Sequence, residues 1–235
     1  MKCFRNKRDG KLYGEIDGRF FPLYDFDSDE VVEVGGKAHA QHVHGVVNTY
    51  DNVRSIINAD YRLKDVLTIP IGERNVDFVV EHIQEVEGGR NIYFVAKEIY
   101  CKGTMKDIEG ILRELREKMP PEFVYELRYI KHKSKNGFEL NGRVNILSMA
   151  NIGKEGYDCG QDDIPFDGLL TEAERCKNYE DETKWYWLSS PGLSSSAYFY
   201  SVRTSGIAGY SNNASTVLGV VPSFSFFNPN KQDNN

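Results

Sequence analysis

Apolar and polar residues follow two periods along this chain. Leu12, Tyr13 and Ile16 precede Asp17-Gly18, and Phe20, Phe21 and Leu23 follow it. Asp-Gly between apolar runs supplies the positive φ angles of a two-residue turn, so a hairpin is predicted. Residues 31–34 read as a short strand ended by Gly35-Gly36, and Val53, Ile56 and Ile57 as a short helix. Residues 66–71 predict a strand, and Val76, Phe78 and Val80 alternate with polar neighbours as a half-buried strand does. Glu87-Gly88-Gly89-Arg90 then turns the chain into a strand over 92–99. The period changes at Ile108, Ile111, Leu112, Leu115 and Met119, which share one helical face. Thr104 and Asp107 have capping-box spacing in front of it, with Asp where Glu is usual. Pro120-Pro121 ends that helix and opens another, with Phe123, Val124, Leu127 and Ile130 as its stripe.

A strand over 143–147 follows, and Thr171 with Glu174 forms a second capping-box pair that opens a helix through Cys176. Trp185-Tyr186-Trp187-Leu188 is a dense aromatic strand. Residues 189–216 are rich in Ser, Gly, Asn and Tyr, with a long loop read over 194–216, before an apolar stretch over 218–227 broken by Pro222. Strands, then helices, then irregular strands predict an α+β fold rather than parallel βαβ units. Residues 1–65 are expected to form a β-rich docking module and residues 66–235 the main domain. The exposed Phe20-Phe21 pair suits an interface, to a larger assembly or to a copy of the chain.

The chain has 235 residues, 40% of them hydrophobic and 27% charged, enough for a packed core. Its formal net charge of -6 repels phosphate backbones, so nucleic-acid binding is not expected. No apolar run reaches the roughly 18 residues of a membrane span. The basic segment 1–10 has no apolar region behind it, so no secretory signal is read, and a virion or cytoplasmic location is expected. Cys3, Cys101, Cys159 and Cys176 are scattered, which favours thiols over a disulfide framework or zinc site. No phosphate-binding glycine loop, dinucleotide fingerprint or nucleophile elbow is present, so no cofactor is expected. No histidine follows His132 to serve a serine triad. His39, His42 and His44 form H-A-Q-H-V-H, in which only His42 and His44 share a face of a strand. A polar surface loop is preferred there to a metal site. Asp162-Asp163, Glu172 with Glu174, and the acidic run 180–182 read as solvated charge, since their separations are not legible in sequence.

The segment W-Y-W-L-S-S-P-G at 185–192, a polar insertion, and G-V-V-P-S-F at 219–224 resemble a family of bacterial and phage domains. That family reads W-W-L-R-S-P-G, then an Asn/Ser-rich insertion, then G-V-R-P-A-F. Upstream, the capped helix ending in Pro-Pro, Leu147-Ser148 and Gly156 fall in the same order, so the likeness spans residues 66–227. The resemblance implies a C-type-lectin-like fold of the formylglycine-generating-enzyme class, related to the variable proteins of diversity-generating retroelements. The enzymes of that class use paired cysteines near the C-terminal end, and this sequence has none after Cys176. The family arginines are replaced by Ser189 and Val221. The resemblance makes Trp185, Trp187, Pro191, Gly219, Pro222 and Phe224 the structural base. It makes Ser194, Ser196, Tyr198, Tyr200, Arg203, Tyr210, Asn212 and Asn213 the binding surface, with Tyr200 and Tyr210 as anchors and Arg203 as a polar clamp. The expected function is non-catalytic recognition of a host surface protein or glycan by a phage protein. A virion assembly protein and a carboxylate-based hydrolase on the same fold are the alternatives.

Overall fold

The computed structural model describes residues 2–5, 12–16, 19–23, 47–49, 53–133, 138–154, 164–192 and 195–229. Before residue 53, and at 133, 195 and 196, only the backbone is described. The predicted strand at 31–34, His39, His42, His44, Gly156, Cys159, Asp162, Asp163 and Ser194 lie outside the described residues. The chain divides into two compact units, Met1–Ala40 and Gln41–Asn235. In the first, β1 (Lys2–Arg5), β2 (Leu12–Ile16) and β3 (Arg19–Leu23) form an antiparallel sheet in that order. Ile16 pairs with Arg19, the register that a two-residue hairpin requires.

The second unit begins with β4 (Val47–Thr49), α1 (Val53–Ile57), β5 (Val66–Ile71), β6 (Arg74–Val86), β7 (Gly89–Ala96) and β8 (Cys101–Gly103). The helices α2 (Ile108–Lys118) and α3 (Pro121–Glu126) follow, then β9 (Ile130–Lys133), β10 (Glu139–Gly142) and β11 (Asn145–Ile146). A 3-10 turn at Asp167–Leu169 leads to α4 (Glu172–Arg175), β12 (Asn178–Tyr179) and β13 (Glu182–Thr183). The chain continues as β14 (Tyr186–Gly192), β15 (Ser195–Val202), β16 (Ala208–Asn213), β17 (Leu218–Val220) and β18 (Pro222–Pro229).

Two sheets carry the unit. One has six strands ordered β11-β18-β7-β6-β5-β4, the other five ordered β16-β15-β14-β17-β8. Within them only β4–β5 and β14–β17 pair in parallel, and neither sheet closes into a barrel. The fold is α+β, mainly antiparallel β. The chain passes between the sheets four times, from β7 to β8, β8 to β11, β11 to β14 and β17 to β18. The Tyr100 amide donates to the Val220 carbonyl where the first and last of these meet, at 2.9 Å. The apolar stretch 218–227 is therefore two strands in different sheets, parted at the buried Val221.

The core forms because facing positions of the large sheet are aromatic. Phe78 lies 4.7 Å from Phe224, and Phe94 lies 5.3 Å from Phe224 and 5.2 Å from Phe226, all between ring centroids. Phe123 of α3 meets Phe224 edge-on at 5.4 Å, and Tyr61 meets Phe94 edge-on at 5.2 Å. Burying each such ring contributes about 1.5–3 kcal/mol. Ile56 and Tyr61 are part of this core and β4 pairs with β5, so residues 47–65 belong to the main unit. The expected boundary after residue 65 thus shifts to Ala40, because local strand and helix signals do not say which sheet they join.

Three local expectations are corrected. Thr104 and Asp107 do not box α2: Asp107 is itself the N-cap, and its carboxylate accepts from Thr104 Oγ1 at 2.6 Å instead. The strand over 143–147 shrinks to Asn145–Ile146. The long loop expected over 194–216 is mostly strand: Ser195–Val202 and Ala208–Asn213 pair antiparallel, and Ser201 and Asn212 are hydrogen-bonded within the pair. At α4, by contrast, the Thr171 hydroxyl and the Glu174 carboxylate complete the predicted box. No helix among the described residues is long and apolar enough to cross a membrane.

Candidate functional site

The base of the site is β14, whose seven residues are all buried. Four of the seven are polar or carry a polar tip that must be satisfied there. Trp187 Nε1 donates to the Gly103 carbonyl at 3.0 Å and the Tyr186 hydroxyl to the Arg175 carbonyl at 2.9 Å. Ser190 Oγ accepts from the Met149 amide at 2.9 Å, and the Ser189 amide donates to the Leu147 carbonyl at 2.8 Å. Pro191, Pro222 and Phe224 are buried as expected of base residues. At Gly219 a Cβ would stand 2.6 Å from Ile99 Cδ1, so only glycine lets β17 pass this close.

On this base β15 and β16 form a hairpin, with β16 at the sheet edge. The register sets Tyr198 against Asn213, Tyr200 against Ser211, and Ser201 against Tyr210. Directly paired residues share a face and neighbours alternate. Tyr198, Tyr200 and Asn213 therefore lie on one face, and Phe199, Ser201, Tyr210 and Asn212 on the other. The two expected anchors, Tyr200 and Tyr210, fall on opposite faces, because their separation across the register is odd. Tyr200 is half-buried against the core, whereas Tyr198 is 44% and Tyr210 53% exposed. Asn212 Nδ2 donates to Ser201 Oγ at 2.8 Å, which orients its amide. Ser194 is not described, and Ser196 is placed only as a β15 position.

Arg203 begins the hairpin turn. Its guanidinium carbon stands 3.5 Å over the Tyr210 ring centroid and 5.0 Å over that of Trp185. The two rings meet edge-on at 5.8 Å. Trp185, expected in the core, is instead half-exposed and is part of this surface stack. It precedes the buried run of β14, and strand alternation alone did not tell which aromatic of W-Y-W would be the outer one.

Beneath the turn lies a cluster of charges absent from the sequence reading. Arg175 is buried, and its guanidinium donates to the carbonyls of Gly206 at 2.8 Å, Leu169 at 3.1 Å and Leu170 at 2.9 Å. Nearby, Glu81 is 2% and Lys177 4% exposed. Lys177 Nζ stands 3.9 Å from Glu81 Oε1, and Lys64 pairs with the other oxygen while donating to the Gly168 carbonyl at 2.6 Å. Burial pushes the Glu81 carboxyl up, against the pull of Lys64 and Lys177. Burial pushes the Lys177 ammonium down to about 8, against the pull of Glu81. Glu81 is the extra residue of a β-bulge between Val80 and His82. One signal was available: the apolar positions of β6 change parity between Val80 and Ile83.

A groove of about 490 Å³ runs beside the hairpin, lined by Met105, Ile108, Phe138 and Phe199 among others, with Glu109 and Glu139 at its polar side. A second cavity, of about 30 Å³, holds room for a single water between Tyr93, Asn145, Ser189 and Phe224. Glu81 lines neither. Cys101 and Cys176 are half-buried free thiols. Among the described residues no three His, Cys, Asp or Glu side chains gather to hold a metal ion. Compared with known proteins, the chain matches no family model, no curated protein and no solved structure.

Proposed function

We propose that this chain is a non-catalytic recognition protein with a C-type-lectin-like fold, which binds a host surface protein or glycan through its edge hairpin. The observation that carries the reading is the contrast between β14 and the hairpin it supports. A wholly buried strand holds in place a neighbour rich in exposed tyrosine and amide groups. Tyrosine gives a large contact at low conformational cost, and amides give adaptable hydrogen bonds. A rigid base under such groups is what lets them keep one binding geometry. The carboxylate-hydrolase reading needs a raised acid facing a cavity, whereas the raised acid seen, Glu81, is engaged by two lysines.

Binding of the purified protein to bacterial cells and to immobilised glycans tests the proposal, beside Tyr210→Ala and Tyr198→Ala. Both side chains are exposed, so both variants are expected to fold. Saturable binding that weakens about thirtyfold in Tyr210→Ala, a hot-spot loss of about 2 kcal/mol, supports recognition through this hairpin. Unchanged binding by both variants moves the site elsewhere. The position of β16 at a sheet edge also favours a second reading, a phage assembly protein whose hairpin pairs with neighbouring subunits. Light scattering at low concentration separates the two, since that reading requires a multimer.

A further inference from the structure

We infer that the Arg203 guanidinium is a receptor for the carboxylate of an acidic sugar, an inference that rests on the recognition role proposed above. Arg203 is positioned before any ligand arrives. Its amide donates to the Ile207 carbonyl and its carbonyl accepts from the Gly206 amide, both at 2.9 Å, which fixes the turn. Tyr210 at 3.5 Å and Trp185 at 5.0 Å then hold the guanidinium plane. Stacking of this kind leaves the planar edge of an arginine, with its fork of N–H donors, open for hydrogen bonds.

Those donors have no acceptor among the described residues. Nε is shielded from solvent and unpartnered, and no described carboxylate pairs with Arg203. Arg175 and Arg143 behave differently, each spending its donors on backbone carbonyls that it ties together. The Arg203 guanidinium bridges the Tyr210 and Trp185 rings but makes no hydrogen bond among the described residues, so that packing role leaves its N–H donors unused. The two terminal amino groups, unlike Nε, are not shielded, and they are the donors that an acceptor from outside can reach.

The ligand class follows from the surroundings. One cation on a chain of net charge -6 suits a monoanion better than a phosphate, which calls for more than one positive group. The arginine fork matches the two oxygens of a carboxylate. Beside it, Tyr210 presents a half-exposed ring and Asn212, on the same face, an amide held by Ser201. Ring and amide match the apolar face and the hydroxyls of a sugar ring. The source of the carboxylate is therefore taken as a uronic or similar acidic sugar rather than an acidic peptide.

The test titrates the full chain with glucuronic acid, glucose and a short Glu-containing peptide, followed by tryptophan fluorescence and amide chemical shifts. Wild type is compared with Arg203→Gln and Arg203→Lys, with folding checked by circular dichroism. The expected result is saturable glucuronate binding, about tenfold weaker for glucose and about tenfold weaker in Arg203→Gln, the size of one charged hydrogen bond. Arg203→Lys falls between, since it keeps the charge and loses the fork. Equal binding of glucose, preference for the peptide, an unaffected Arg203→Gln, or no binding by folded wild type overturns the inference. If Arg203→Gln still binds cells while Tyr210→Ala does not, only the carboxylate assignment falls. If wild type binds neither cells nor glycans, the recognition reading falls with it.

Discussion

Lys177 is charged at neutral pH in a place that little water reaches, 4% exposed beside Glu81. Its pKa in the folded chain is about 8, below the ordinary 10.5 of the unfolded chain. Between those values the unfolded chain binds more protons, so this group makes stability rise with pH from about 8 to 10.5. Below pH 8 the charged form carries its full burial cost. Lys177→Met removes the titration and keeps most of the volume. Urea unfolding of both proteins at pH 7, 8.5 and 10 is expected to show wild type gaining on the variant as pH rises, by up to about 3 kcal/mol. A difference that stays flat with pH would mean that water reaches the ammonium. This cluster was not legible in the sequence. Glu81, Lys64 and Lys177 lie far apart along the chain, and nothing local distinguishes a buried lysine from a surface one. Arg203 was legible as a candidate but its partners were not, since Trp185 read as core.

At the scale of elements, the hairpin turn is fastened to α4. Gly206 has a φ of 78°, in the left-handed region, and a Cβ there would run into the Glu172 carbonyl. Gly206 O also accepts from Arg175 Nε at 2.8 Å. Gly206→Ala is expected to destabilise the unit by about 2–3 kcal/mol, read as a lower urea midpoint at unchanged m-value. A cost below about 1 kcal/mol would mean that the turn relaxes away from α4 without loss. Elements were the most legible level. Strand β5 spans Val66–Ile71 as expected, Pro121 opens α3, and Thr171 with Glu174 caps α4. The polar stretch after Trp187 misled because Ser, Gly and Asn usually signal loops. Here Ser189 and Ser190 bond to the 147–149 segment, a distant partner that makes a buried strand of them.

For the whole molecule, the division at Ala40 makes a prediction about truncation. A chain beginning at Gln41 is expected to unfold cooperatively with the stability of the full unit. One beginning at Val66 loses β4, Ile56 and Tyr61, and is expected to lose several kcal/mol or fail to fold. Thermal unfolding of both fragments decides it, and equal stability would return the boundary to residue 65. The α+β class was legible from the order of periods, but the partition into two sheets was not, because the 218–227 stretch gives no local sign of changing sheets. That late crossing also governs synthesis. Strand β18 lies between β11 and β7, inside the six-stranded sheet. Until residues 222–229 have left the ribosome, β7 has an open flank and Phe94 lacks its partners Phe224 and Phe226. Until β18 is made the nascent chain therefore carries an exposed aromatic edge, the kind of surface that chaperones bind and that termination before residue 222 would leave to aggregate.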